Sequence, residues 1–213
     1  MDPNNQVVRL IGQGMQADGE GRADDARALF EQAWDAATDD YEACLAAHYL
    51  ARSQQTPEEV LQWNKVCLER ADKSGDERVR AFYASMHLSL ARAHTNVDDA
   101  DQAREHYKLA ADSLQHVPAG PHHEAARFAI ARGLDSTSKS AALAELLGKL
   151  SARGDLLALG LLLPAYLRDL GTAEDRTALL MALQTVRVDR HLPEDEQEIL
   201  ARAVAEVTES AKG

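Results

Sequence analysis

The sequence predicts an all-α chain, and three observations carry that expectation. Aromatic residues make up only 5% of the chain, and β-branched residues are sparse beside the good helix formers Ala, Leu, Glu, Gln and Arg. No stretch alternates apolar and polar residues with period two, the mark of a half-buried strand. Apolar positions recur instead at offsets of three and four, as in Ala26, Phe30 and Ala33, which places them on one face of a helix.

That face alternates small, aromatic, small, where an ordinary amphipathic helix would carry Leu or Ile. Alanines on both sides of a ring leave room for a close neighbour. The trio shifted by 34 residues lands on Val60, Asn64 and Cys67, and by a further 43 on Ala103, Tyr107 and Ala110. Twelve residues before each trio stand Gly14, His48 and Ala91, and four before those Leu10, Cys44 and His87. Each unit is therefore expected to be two helices joined by a turn. Gly19 and Gly21 break the first unit. In the second, "SQQTPEE" does so, with Thr56 as N-cap and Pro57 at the first helical position. In the third, "NVDDAD" does so, with Asp98 or Asp99 as the cap. The nine extra residues before the third unit are expected to lengthen its first helix to about Asp76–His94.

A small residue, a turn, then Ala-x3-aromatic-x2-Ala at a 34-residue spacing resembles the tetratricopeptide repeat (TPR), over about residues 7–118. The first and third units match well. In the second, Asn64 replaces the aromatic and Val60 the first Ala. The family's Trp early in the first helix is missing, and Thr38, Asp72 and Gln115 stand where its closing Pro would be. The resemblance implies a right-handed solenoid of helical hairpins, in which no unit buries its face alone and stacking completes the core. Gly14 and Ala26 would let the helices of one hairpin approach, with Phe30 filling the gap toward the next. It also implies a concave groove lined from the first helices of the hairpins: Ile11 and Met15, then Leu45, Tyr49 and Arg52, then Leu88 and Arg92. The Lys/Asn clamp of the chaperone-tail-binding branch is not supported, since Ile11, Met15, Ala46, Ser85 and Ser89 occupy its places.

Beyond residue 118 the matching stops and helical punctuation continues. "HHEAARFAIARG" reads as a short helix ended by Gly133, and "LDSTSKS" as a loop. Leu143, Leu146, Leu147 and Leu150 form a helical stripe ended by Gly154. Asp155 caps an apolar segment, residues 156–167, that Pro164 should bend; twelve residues are too few to span a bilayer, so it is expected to be a buried core helix. Thr172 caps the next helix, through about Arg187. Glu194, Asp195 and Glu196 suit the start of a last one. Residues 119–213 are expected to add hairpins and a capping helix to the same solenoid, with a separate small helical domain as the alternative.

The net charge is −12. It is uneven: residues 1–118 carry 21 acids against 12 bases, residues 119–213 carry 14 against 11. An acidic surface without a Lys/Arg stripe disfavours nucleic acid. "MDPNNQVVRLIGQG" shows no basic region followed by an apolar run, so a signal peptide is not expected and the cytoplasm is the expected compartment. Cys44 and Cys67, 23 residues apart, are expected to be buried free thiols, in keeping with a reducing compartment.

Eight histidines invite a metal or catalytic reading. His48, His87 and His94 fall where the repeat packs its helices, however, and His122–His123–Glu124 suits a solvated helix start. No metal-ligand spacing, nucleophile elbow, P-loop or dinucleotide fingerprint occurs, so no cofactor or metal is expected. The expected function is an adaptor or regulator that binds a protein or peptide, and the acids of residues 1–118 favour a partner of basic character. A ligand- or peptide-sensing module and an enzyme on a helical scaffold stand as alternatives.

Overall fold

The computed structural model describes residues 5–134, 140–189 and 192–209. Among these the chain is 84% helical and holds no strand, so the fold is all-α. It divides into two compact units, Met1–Ala126 and Arg127–Gly213.

The first unit contains α1 (Gln6–Gly19), α2 (Ala23–Asp35), α3 (Asp40–Ser53), α4 (Pro57–Ser74), α5 (Tyr83–Asn96) and α6 (Ala100–Ser113), and α7 (Pro121–Gly133) begins in it. Four of these starts carry a side-chain cap. Asn5 Oδ1 accepts from the Val8 N–H at 3.1 Å, and Asp39 from that of Glu42 at 2.8 Å. Thr56 and Glu59 close a reciprocal capping box with Pro57 at the first helical position. Asp99, not Asp98, caps α6 through the Gln102 N–H. Such caps are worth about 1 kcal/mol each.

Packing runs between consecutive helices: α1 with α2, α3 with α4, α5 with α6, with α2–α3 and α4–α5 contacts between them. Gly14 is buried, and a Cβ added to it would collide with the ring edge of Phe30. Phe30 is 3% exposed and its other side stacks on Tyr49 of α3, ring centres 5.3 Å apart. Ala26 and Ala33 beside it are buried, as the small–aromatic–small face requires. Tyr107 sits in the same setting, buried with Ala103 and Ala110 on α6. Asn64 takes the aromatic position in α4; it is buried and its amide donates to the Val60 carbonyl at 2.8 Å, which satisfies the polar group. One expectation fails here. The insert before α5 does not extend that helix: Glu77–Phe82 is a 3₁₀ helix, started by Asp76 accepting from the Arg78 N–H, and α5 begins only at Tyr83.

The second unit contains α8 (Ala141–Ala152), α9 (Leu156–Leu167), α10 (Ala173–Asp189) and α11 (Glu194–Glu209), capped at Ser140, Asp155 and Thr172. Leu143, Leu146 and Leu150 of α8 pack with Leu162, Leu183, Val186, Ile199 and Leu200 in one core. Ser140 and Lys149 of the α8 side bond Glu206 and Asp195 of α11, each at 2.6 Å. The expectation of a buried apolar helix at residues 156–167 is corrected. Leu156 is 77% and Leu157 67% exposed, and only Ala158 and Leu162 of α9 are fully buried. A helix that is apolar all round buries only the faces that have a neighbour, and α9 contacts only α8 and α10 extensively. No described helix is long and apolar enough to cross a membrane.

Candidate binding cavity

The first unit holds a cavity of about 560 Å³, walled chiefly by α1, α3 and the 3₁₀ insert. From α1 come Val8, Ile11, Gly12 and Met15, spaced by three and four so that one face supplies them all. From α3 come Tyr41, Cys44, Leu45, His48, Tyr49 and Arg52, again one broad face. The 3₁₀ insert gives Val79 and Phe82, and the start of α5 gives Ser85 and Met86. Cys67 of α4 and His122 of α7 complete the lining. The volume lies within the range of about 300–1,000 Å³ usual for small-molecule sites, and the wall is mostly apolar, as such sites are.

Five of the seven groove residues expected from sequence meet here: Ile11, Met15, Leu45, Tyr49 and Arg52. The other two do not. Leu88 is 7% exposed and packed inward, and Arg92 is exposed but does not line the cavity. A second, more polar cavity of about 370 Å³ adjoins the first, sharing Met15, Tyr49 and Arg52 and adding Asp18, Asp24 and Arg27. Arg27 is committed, since it donates twice to the Ser53 carbonyl, at 2.6 and 3.1 Å.

Polar groups in the wall differ in what they have to bond. The Arg52 guanidinium lies 5.8 Å from the centre of the Tyr49 ring, yet makes no ion pair or hydrogen bond with a described residue. His48, one turn earlier on α3, meets the Tyr49 ring edge-on at 5.2 Å and has no hydrogen-bond partner among the described residues. Burial, aided by the charge of Arg52, holds the His48 imidazole below its ordinary value and so favours the neutral ring. The Tyr41 hydroxyl is raised by burial. The Cys44 and Cys67 sulfurs lie 3.7 Å apart at the back of the cavity, and both residues are free thiols and buried. The hydrogen bond between them lowers Cys44, and the same bond together with burial pushes Cys67 up.

The histidines that sequence reading assigned to packing include a stack not anticipated there. His106 of α6 lies between His87 and His94 of α5, ring centres 5.3 and 5.4 Å away, with His87 Nδ1 3.1 Å from His106 Nδ1. Burial and the two neighbouring rings push His106 down to about 4. His94 Nδ1 is 3.0 Å from Asp99. At the start of α7, His122 is exposed and joins the cavity wall, while His123 faces Glu124 at 3.4 Å. Among the described residues, no group of three His, Cys, Asp or Glu is placed to hold a metal ion.

Sequence reading missed Val79, Phe82, Met86 and His122 as cavity residues. Val79 and Phe82 lie in the insert that breaks the 34-residue spacing, and that insertion was the signal available. Comparison with known families and with curated proteins finds no significant match.

Proposed function

We propose that the first unit is a TPR-like interaction module that anchors a short segment of a partner protein in the cavity between α1, α3 and the turn before α5. The observation that carries this reading is the convergence of Ile11, Met15, Leu45, Tyr49 and Arg52, from two separate hairpins, on one apolar cavity. Tyr49 offers a flat surface with few rotamers to lose, and Arg52 a guanidinium fork with no described partner. The excess of acids over residues 1–118 favours a basic partner, whose association weakens as salt rises. The repeated hairpins and the Gly14–Phe30 contact support the TPR-like architecture.

The test is capture of the partner by the full chain. An Arg52→Ala variant should keep its helical spectrum and melting temperature and lose capture, whereas Tyr49→Ala should lose capture and also melt lower, because its ring stacks on Phe30. A control pair at the exposed residues Glu31 and Asp35 of α2, which line neither cavity, should leave capture intact. The reverse outcome removes the cavity from consideration as the partner site.

A second reading is favoured by the size of the cavity and its mostly apolar wall: a sensing module that takes a small ligand in this space and passes a shift to its partner.

A further inference from the structure

Two polar groups in the cavity wall have no hydrogen-bond or ion-pair partner among the described residues, although the protein has acids to spare. The net charge is −12, yet neither Arg52 nor His48 bonds a described carboxylate. They are four residues apart on α3, hence on one face, and both line a cavity whose remaining wall is largely Ile11, Leu45, Val79, Phe82 and Met86. A donor pair at one side of an apolar chamber matches one kind of molecule, an apolar body ending in a single anionic group.

We infer that this cavity binds a small monocarboxylic acid with an aliphatic or aryl body, its carboxylate held by Arg52 and His48 and its body laid against Ile11, Leu45, Val79 and Met86. The inference rests on the reading of the cavity as a ligand site. A carboxylate matches the guanidinium fork, which can donate two parallel N–H bonds to it. An acid with several charges is disfavoured by the field of the acidic unit around it, whereas one charge is met locally by Arg52. A cationic ligand would meet the like charge of Arg52 at the cavity wall.

The other titratable groups around His48 are Arg52, Tyr41, Tyr49 and Cys44 on its own helix, Cys67 from α4 and His122 from α7, with Asp18, Asp24 and Arg27 in the adjoining cavity. A bound carboxylate places a negative charge among them and favours the imidazolium of His48. Ligand binding is therefore coupled to uptake of a proton.

The experiment is calorimetry on the full chain with three probes of equal length: octanoate, octan-1-ol and octylammonium. Octanoate should bind one to one and about tenfold or more tighter than octan-1-ol, as a charge-assisted bond requires, with octylammonium weakest. Arg52→Gln should reduce octanoate to the level of octan-1-ol while leaving octan-1-ol unchanged, and His48→Gln should weaken octanoate in part. The nuclear magnetic resonance titration of His48 should move to higher pH when octanoate is bound. Equal binding of octanoate and octan-1-ol, or an unchanged preference in Arg52→Gln, overturns the carboxylate assignment and leaves the cavity as a ligand site. Failure of both octanoate and octan-1-ol to bind overturns the ligand-site reading with it. Circular dichroism of each variant confirms the fold; Arg52 is exposed, so its replacement removes no core packing.

Discussion

The two units build their cores from different materials. The first packs alanines and a glycine against rings: Gly14, Ala26 and Ala33 around Phe30, and Ala103 and Ala110 beside Tyr107. The second packs branched aliphatics, with Leu143, Leu146, Leu150, Leu162, Leu183, Val186 and Ile199 in one cluster. Small residues let helices come close but cannot fill space wherever the helices diverge. In the first unit a cavity opens between α1, α3 and the 3₁₀ insert, walled by larger side chains such as Ile11, Leu45 and Met86. In the second, the leucines fill the centre and the surplus lies outside, as Leu156, Leu157 and Leu161 do on α9.

Truncation in either core should give the largest effects. Phe30→Ala should cost about 3–5 kcal/mol and Leu146→Ala about 2–5 kcal/mol, read from chemical denaturation. Gly14→Leu should cost about 1–3 kcal/mol by overpacking, because its side chain would meet the Phe30 ring. A Phe30→Ala melt equal to that of the parent breaks the account of the first core. Within α9 the contrast sharpens further. Leu162→Ala should cost about 2–5 kcal/mol, whereas Leu157→Ala should stay within about 0.5 kcal/mol, and similar costs for both would mean that α9 is covered on all sides.

Acid should bear selectively on the first unit, where the histidine stack lies. His87 and His106 have folded values below the ordinary 6.5 because burial disfavours the imidazolium. Such groups contribute fully above the unfolded value and lose that contribution as pH falls from about 6.5 toward the folded value, about 4 for His106. The midpoint of urea denaturation should therefore drop between pH 6.5 and 5, and His106→Gln should flatten that drop. An unchanged slope in the variant removes the stack as its source. A small effect of the opposite sign is expected at Asp98, which holds φ +57° just after α5. Asp98→Gly should stabilise by up to about 1 kcal/mol, because glycine adopts that conformation without a Cβ clash.

Much of the fold was legible because its signals are local. Thr56–Pro57 and Asp155 announce helix starts by hydrogen bonds within four residues, and the trio around Phe30 reports a face by spacing alone. The cavity was legible in part, since the α1 and α3 residues share the repeat. Its third wall was not. Val79 and Phe82 belong to an insert whose helical composition hid a change from α to 3₁₀ geometry, and with it the direction of the two side chains. The exposed leucines of α9 were misread for a different reason, because an apolar segment does not state how many of its faces will find neighbours. His106 was overlooked because its partners come from another helix, 19 and 12 residues back in sequence.

On the reading proposed above, the cavity of the first unit is where the partner binds. Filling it tests this most directly. Met15 is 49% exposed and lines the cavity, so Met15→Trp adds bulk toward open space rather than to packed core. The measurement is partner capture by the Met15→Trp variant of this chain alongside its thermal melt. If the cavity holds the partner, the variant melts at or above the temperature of the parent and loses capture; an equally stable variant that captures its partner as the parent does removes the cavity as the site.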